Sequence, residues 1–238
     1  MVQSQNNRNN NNMKSSNQIK NLLVGAAVVG MAGVANASPT LYVSTTGLAG
    51  SYTAVATGFG GVATYNGTVG VWSLIITTGL TAPALGTAST PTMDLAIQAS
   101  ATTAASLFLA FANNGYTGVG GINASISGHV VSGAQETYTF TTFQDTANTL
   151  PSTTLPIGSV ITTLSGSMPV LGNASGTLSG IAPYTLGEIV QINTTGASIT
   201  SIDAGFTFSS VPDGGMTVAM LGFGMAVVGA ARRKLANA

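Results

Sequence analysis

An antiparallel, all-β sandwich is the fold class this sequence predicts, on three observations. Short runs alternate apolar and polar residues, as strands with one buried face do. Glycine and Asn-Gly signals punctuate those runs. Between residues 38 and 210 no segment carries the periodicity of a long amphipathic helix.

The runs can be taken in chain order. "VWSLIITT" (71–78) is apolar on both faces, as a central strand would be. In "MDLAIQAS", Met93, Leu95, Ile97 and Ala99 share one face and Asp94, Gln98 and Ser100 the other. Leu107, Leu109 and Phe111 align in "SLFLAFA". Ile122, Ala124, Ile126 and Val130 align opposite Asn123, Ser125, Ser127 and His129. Tyr138 and Phe140 face together, as do Ile202, Ala204, Phe206 and Phe208. Turns are expected at Asn66-Gly67, Asn113-Asn114-Gly115 and Gly120-Gly121. Long loops are expected at 80–92 and 144–158, where proline and threonine cluster.

Charge is scarce, at 5% of residues against a usual ~25%. The formal net charge of zero conceals an uneven distribution. Arg8, Lys14 and Lys20 lie near the start, Arg232, Arg233 and Lys234 near the end, and no Lys or Arg stands between them. The body holds Asp94, Glu136, Asp145, Glu188 and Asp203, with Asp213 just beyond. A body without cations has no basic face for a nucleic acid. With no cysteine, disulfides, thiolate metal sites and a cysteine nucleophile are excluded.

The first 37 residues read as an Asn-rich extension followed by a signal peptide. Lys14 and Lys20 form a basic region, Leu22 to Val34 an apolar one too short to span a bilayer, and Ala35-Asn36-Ala37 a small-x-small cleavage site before Ser38. Met13 is the alternative start to Met1.

Chemistry is sparse. His129 is the only histidine, and its strand phase puts it among outward polar residues, so it reads as a surface side chain rather than a triad base. The carboxylates lack calcium-loop spacing and read as isolated; two meeting in space, as a glycosidase needs, is the alternative. Trp72 reads as a core residue, with a sugar platform as the second reading. Four Asn-x-Ser/Thr sequons, at Asn66, Asn123, Asn173 and Asn193, are what chance yields in this composition. No catalytic residue, metal site or cofactor is assigned, and no enzyme is expected.

The tail is the most informative segment. Val211-Pro212-Asp213-Gly214-Gly215 is extended and then turning. Met216 to Ala231 follows without charge; as a helix it would reach about 24 Å, short of a ~30 Å hydrocarbon core. Gly222, Ala226 and Ala230 form a small-xxx-small stripe suited to close helix packing. Arg232, Arg233 and Lys234 then hold the end cytoplasmic.

A short Pro-acidic motif, an apolar helix and a terminal basic cluster together resemble the PEP-CTERM sorting signal, in its VPDSG-type variant. Val211, Pro212, Asp213 and Gly215 match, and Gly214 stands where that variant has serine. The resemblance spans only the tail. It implies recognition by an exosortase, a membrane protease-transpeptidase of Gram-negative bacteria, transient membrane residence through 216–231, removal of the tail and delivery to the cell surface or a biofilm exopolysaccharide matrix. The expected organisation is residues 1–37 as extension and signal peptide, 38–210 as a β-sandwich ectodomain, and 211–238 as sorting signal with a single transmembrane helix. The expected role is structural or interactive. One alternative is a carbohydrate-binding or adhesive module using exposed Tyr42, Tyr52, Tyr65 or Tyr116, with polysaccharide as partner; the second is a polysaccharide-acting enzyme.

Overall fold

The computed structural model describes residues 38–151, 158–179 and 181–209, together with 221–223 and 225. Twelve strands run in order: β1 (Thr40–Ser44), β2 (Thr53–Thr57), β3 (Val62–Val69), β4 (Trp72–Leu80), β5 (Met93–Ala101), β6 (Ala105–Tyr116), β7 (Gly121–Gly133), β8 (Glu136–Asp145), β9 (Ser159–Ser167), β10 (Val170–Thr177), β11 (Tyr184–Thr194) and β12 (Ser198–Ser209). Among the described residues they form two six-stranded sheets. Sheet I has the order β2-β1-β6-β11-β8-β9, and sheet II the order β10-β7-β12-β5-β4-β3. Every pairing is antiparallel.

The alternation read from the sequence is what joins the sheets. Leu107, Leu109 and Phe111 from sheet I meet Met93, Leu95, Ile97, Ile122, Ile126, Ile202 and Phe206 from sheet II in one core cluster. Tyr138 and Phe140 join it from β8. Each fully buried large side chain of this kind contributes roughly 1.5–3 kcal/mol of transfer free energy. β11 and β12, the last two strands in sequence, take inner positions in sheets I and II. The sandwich is thus completed by pairings of high sequence separation.

A second apolar cluster lies on the outer face of sheet I: Tyr42, Tyr52, Ala110, Ala112, Phe143 and Ile189, with Phe108 and Leu150 packed on it. With no Lys or Arg in the body, polar side chains replace ion pairs as ties. Gln144 on β8 donates through Nε2 to the Ser179 carbonyl (3.0 Å) and accepts from the Ser179 amide (2.8 Å), clamping β8 to the segment after β10. One expected loop falls at 81–92; of the other, residues 146–151 leave β8 as turn and non-strand chain, and 152–157 lie outside the described residues.

Three local expectations are corrected. β4 is not buried on both faces: Trp72, Leu74 and Ile76 are in the core, but Val71 and Ile75 are exposed, because β4 lies one strand from the sheet edge with an uncovered outer face. Asn66-Gly67 is not a turn but lies within β3, paired to Ile75 and Leu74. Asn113-Asn114-Gly115 lies within β6; the register shifts opposite it, between Tyr184 and Leu186, and Gly115 takes φ 85°. The signal there marks a β-bulge rather than a chain reversal.

Candidate binding surfaces and the sorting tail

Of the residues singled out from sequence, Ser38 is the first described. It is half-buried, and Thr40 Oγ1 donates to its carbonyl at 3.4 Å. Ala35, Ala37, the motif Val211–Gly215 and the cluster Arg232, Arg233 and Lys234 lie outside the described residues. Leu221–Phe223 and Met225 are helical and exposed. Among the described residues no helix is long and apolar enough to cross a membrane.

The tyrosines are a correction. Tyr42, Tyr52 and Tyr116 are buried, and only Tyr65 is partly accessible. Tyr42 on β1 and Tyr52 in the β1–β2 connection belong to the outer cluster of sheet I. Tyr116 points between the sheets, with its hydroxyl bonded to Thr81 Oγ1 and its ring stacked 6.3 Å from Tyr184. These rings serve packing. Trp72 is also a core residue, its Nε1 donating to the Ser106 carbonyl at 3.1 Å.

The five carboxylates sort by environment. Asp145 accepts from the Ala147 amide (3.1 Å) and Thr149 Oγ1 (3.0 Å), capping the turn after β8. Glu136 and Glu188 are fully buried, and no carboxyl oxygen of either has a hydrogen-bond partner. Glu188 lies between Leu186 and Val190 on the inward face of β11; burial, then the charges of Asp94 and Asp203, push its carboxyl well above the usual range. Burial without a partner favours its protonated form.

Asp94 and Asp203 instead share the outer face of sheet II. β5 pairs with β12 so that Asp94 opposes Gly205 and Asp203 opposes Ala96. The two carboxyls are within hydrogen-bonding reach, and burial followed by the Asp203 charge raises Asp94. They stand in a trough of about 460 Å³ with Ser125, Ser127, Thr207 and Leu171 around it. Gly205 contributes to the trough and must be small, since a Cβ there would meet the Met93 carbonyl at 2.4 Å. A touching pair can share a proton. His129 faces Ser201 across β7 and β12, with Asp203 two pairs further on. Among the described residues no side-chain hydrogen bond links them, and no three His, Cys, Asp or Glu gather as a metal site.

Sequence reasoning did not anticipate the outer face of sheet I. Thr139 on β8 lies between Ser165 on β9 and Gln191 on β11, and Thr141 between Thr163 and Ile189. Gln191 Nε2 donates to Asn193 Oδ1 (3.0 Å), which also accepts from Ser106 Oγ (2.8 Å). A groove of about 310 Å³ runs over Phe108, Ile189 and Val160, walled by these threonines and Gln191. The period-2 runs of "ETYTFTTF" carry the signal, but sequence gives no means of knowing that these strands lie side by side.

The comparisons with known proteins bear on the tail and the body separately. Residues 210–235 match the family model described as the VPDSG-CTERM motif. The chain carries a VPDSG-CTERM tail. This is a PEP-CTERM-like C-terminal sorting signal, as the resemblance implied, and such a signal fits an exported protein. No curated protein matches the chain that carries the VPDSG-CTERM tail. Its body is similar in solved structures to TmCBM61 in complex with beta-1,4-galactotriose, at TM-score 0.34 and 8% identity over 60% of this chain and 92% of that one. It is also similar to the PA14 sugar-binding domain from an RTX adhesin (TM-score 0.24, 15% identity, 41% of this chain and 44% of that). A third is the K1 cleaved adhesin domain of Lys-gingipain from Porphyromonas gingivalis W83 (TM-score 0.29, 9% identity, 61% and 95%). At these scores the likenesses assign no function to the body upstream of the VPDSG-CTERM tail.

Proposed function

We propose that this is an exported protein of a Gram-negative bacterium, presented through its VPDSG-CTERM tail to an exosortase-type membrane protease. The protease removes the tail, and the β-sandwich is left at the cell surface or in the exopolysaccharide matrix. The match at residues 210–235 carries this reading. The order of parts supports it: a turning motif at 211–215, an uncharged run at 216–231 and a basic stop at 232–234. The body's role is interactive rather than catalytic. What favours that is the fate of its carboxylates, two sealed in the core, one capping a turn and two in contact with each other. The intact mass of the protein recovered from its native surface tests the reading. It should correspond to a chain that begins at Ser38 and lacks 216–238. A surface form retaining 216–238 overturns it.

A second reading, that the body binds saccharide, is favoured by the uncharged, hydroxyl-walled groove on sheet I.

A further inference from the structure

We propose that the outer face of sheet I, across β9, β8 and β11, is a docking surface for a neutral polysaccharide chain, centred on the groove over Phe108 and Val160. This deepens the second reading and rests on delivery of the body to the cell surface.

The chemistry of the face selects this partner. The polar groups that wall the groove, Thr139, Thr141, Thr163 and Gln191, are hydroxyls and an amide at the spacing of the sheet, about 4.8 Å between strands and about 6.6–6.8 Å between alternate residues. Thr139, Thr141, Thr163 and Gln191 are at least partly accessible. Several groups are already ordered. Gln191 Nε2 and Ser106 Oγ both donate to Asn193 Oδ1, so a ligand meets a surface with part of its side-chain entropy already lost. Within this polar array lies an apolar floor. Phe108 is half-buried, Val160 is 52% exposed, and Tyr52 meets the Phe108 ring edge-on (6.5 Å, 76°), fixing its plane. A floor that accepts apolar C–H surface, ringed by donors and acceptors, matches a pyranose, which has apolar faces and a hydroxyl rim.

Charge decides between kinds of polymer. The threonines and glutamine that wall the groove carry no charge; of the carboxylates on these strands Glu136 and Glu188 are buried in the core, and Asp145, at the far end of β8, is nearly buried and held by the Ala147 amide and the Thr149 hydroxyl. A polycation finds no partner there. A polyanion finds none either, and it is repelled by a body that holds carboxylates and no Lys or Arg. A second copy of the chain is the rival occupant. In such a dimer the hydroxyls of Thr139, Thr141 and Thr163 and the Gln191 amide would each need a matched partner across the interface.

The test is affinity electrophoresis of the full-length protein in detergent, through gels containing dextran, laminarin or hydroxyethyl cellulose, with alginate and chitosan as charged comparisons. Retardation is expected in at least one neutral gel and should be unaffected by added salt. Thr141→Ala combined with Gln191→Ala should weaken it about ten-fold, the loss of one to two hydrogen bonds. Thr163→Trp, on an exposed position, should fill the groove and abolish it. Asn123→Ala on sheet II should change nothing, and melting curves should show all variants folded. Retardation by alginate or chitosan alone, by none of the polymers, or equally for all variants overturns the proposal. So does sedimentation as a dimer that Thr163→Trp dissociates. Surface delivery is scored separately: protein that is delivered normally yet fails to bind sinks this proposal and leaves the sorting reading standing.

Discussion

Asp94 and Asp203 are brought into hydrogen-bonding contact on the outer face of sheet II by the pairing of β5 with β12, in a body that has no Lys or Arg to neutralise them. Burial raises the Asp94 carboxyl first, and the charge and hydrogen bond of Asp203 raise it further. A carboxyl raised in the folded state stabilises the fold below its unfolded pKa of about 3.9, and that contribution is lost as pH rises through the folded value. Asp203→Asn removes the repulsion. It should match the parent in acid and exceed it at neutral pH, by at most about 1 kcal/mol after solvent screening, or ~2–4 °C in Tm. Thermal melts across pH check this, and an Asp203→Asn variant less stable than the parent at neutral pH contradicts it.

Glu188 carries the same sign deeper in the fold. Its carboxyl lies unpartnered between Leu186 and Val190, and burial pushes it up, favouring the protonated form. The proton it retains favours the folded state in acid, and that advantage disappears as pH rises. Glu188→Met keeps the length and removes the polar oxygens. It should be neutral to stabilising by about 1 kcal/mol near neutral pH and should flatten the alkaline decline. Urea midpoints for parent and variant at about pH 5 and about pH 9 measure it. A larger alkaline decline in the variant would count against a neutral buried acid.

Trp72, the sole tryptophan, is 1% exposed and spans the sandwich to the Ser106 carbonyl. Trp72→Ala should cost about 3–5 kcal/mol. In the parent, fluorescence should be blue-shifted and move red in one step with urea. Red emission in the native protein would place the ring in water.

Proteolysis reports the packing. Trypsin has no site between residues 38 and 231. Chymotrypsin meets mostly buried aromatics, with Phe59, 81% exposed, the open one. The first chymotryptic cut of the folded body should therefore follow Phe59, and Phe59→Ser should slow the first cleavage several-fold. Rapid simultaneous cuts at Tyr138 or Phe140 would mean the core is not closed.

Much of the fold was legible because its strands have one wet face. Met93 to Ala99, Leu107 to Phe111 and Ile122 to Ile126 alternate as written and are buried as expected. Failures came where local signals have two meanings. Asn-Gly favours a tight turn, yet at Asn66-Gly67 it sits in mid-strand, and at Asn113–Gly115 it forms a bulge. β4 is written like a central strand, but its exposed Ile75 belongs to an uncovered outer face. The surfaces were not legible at all. The Asp94–Asp203 contact and the Thr139–Gln191 row are products of long-range pairing, and alternation reports which face a residue takes but not which strand it will lie beside. The motif of the tail was legible because its parts are read in linear order.

The central claim, that the tail is an address, is tested most directly by fractionating two variants and weighing them. Arg232→Ser, Arg233→Ser and Lys234→Ser together remove the positive-inside anchor from a stretch of marginal insertion. Pro212→Ala with Asp213→Ala alters the motif and leaves the uncharged run intact. The first variant should appear untrimmed in the periplasm or medium, and the second untrimmed in the membrane. If both are trimmed and reach the surface like the parent, the tail is not what directs this protein.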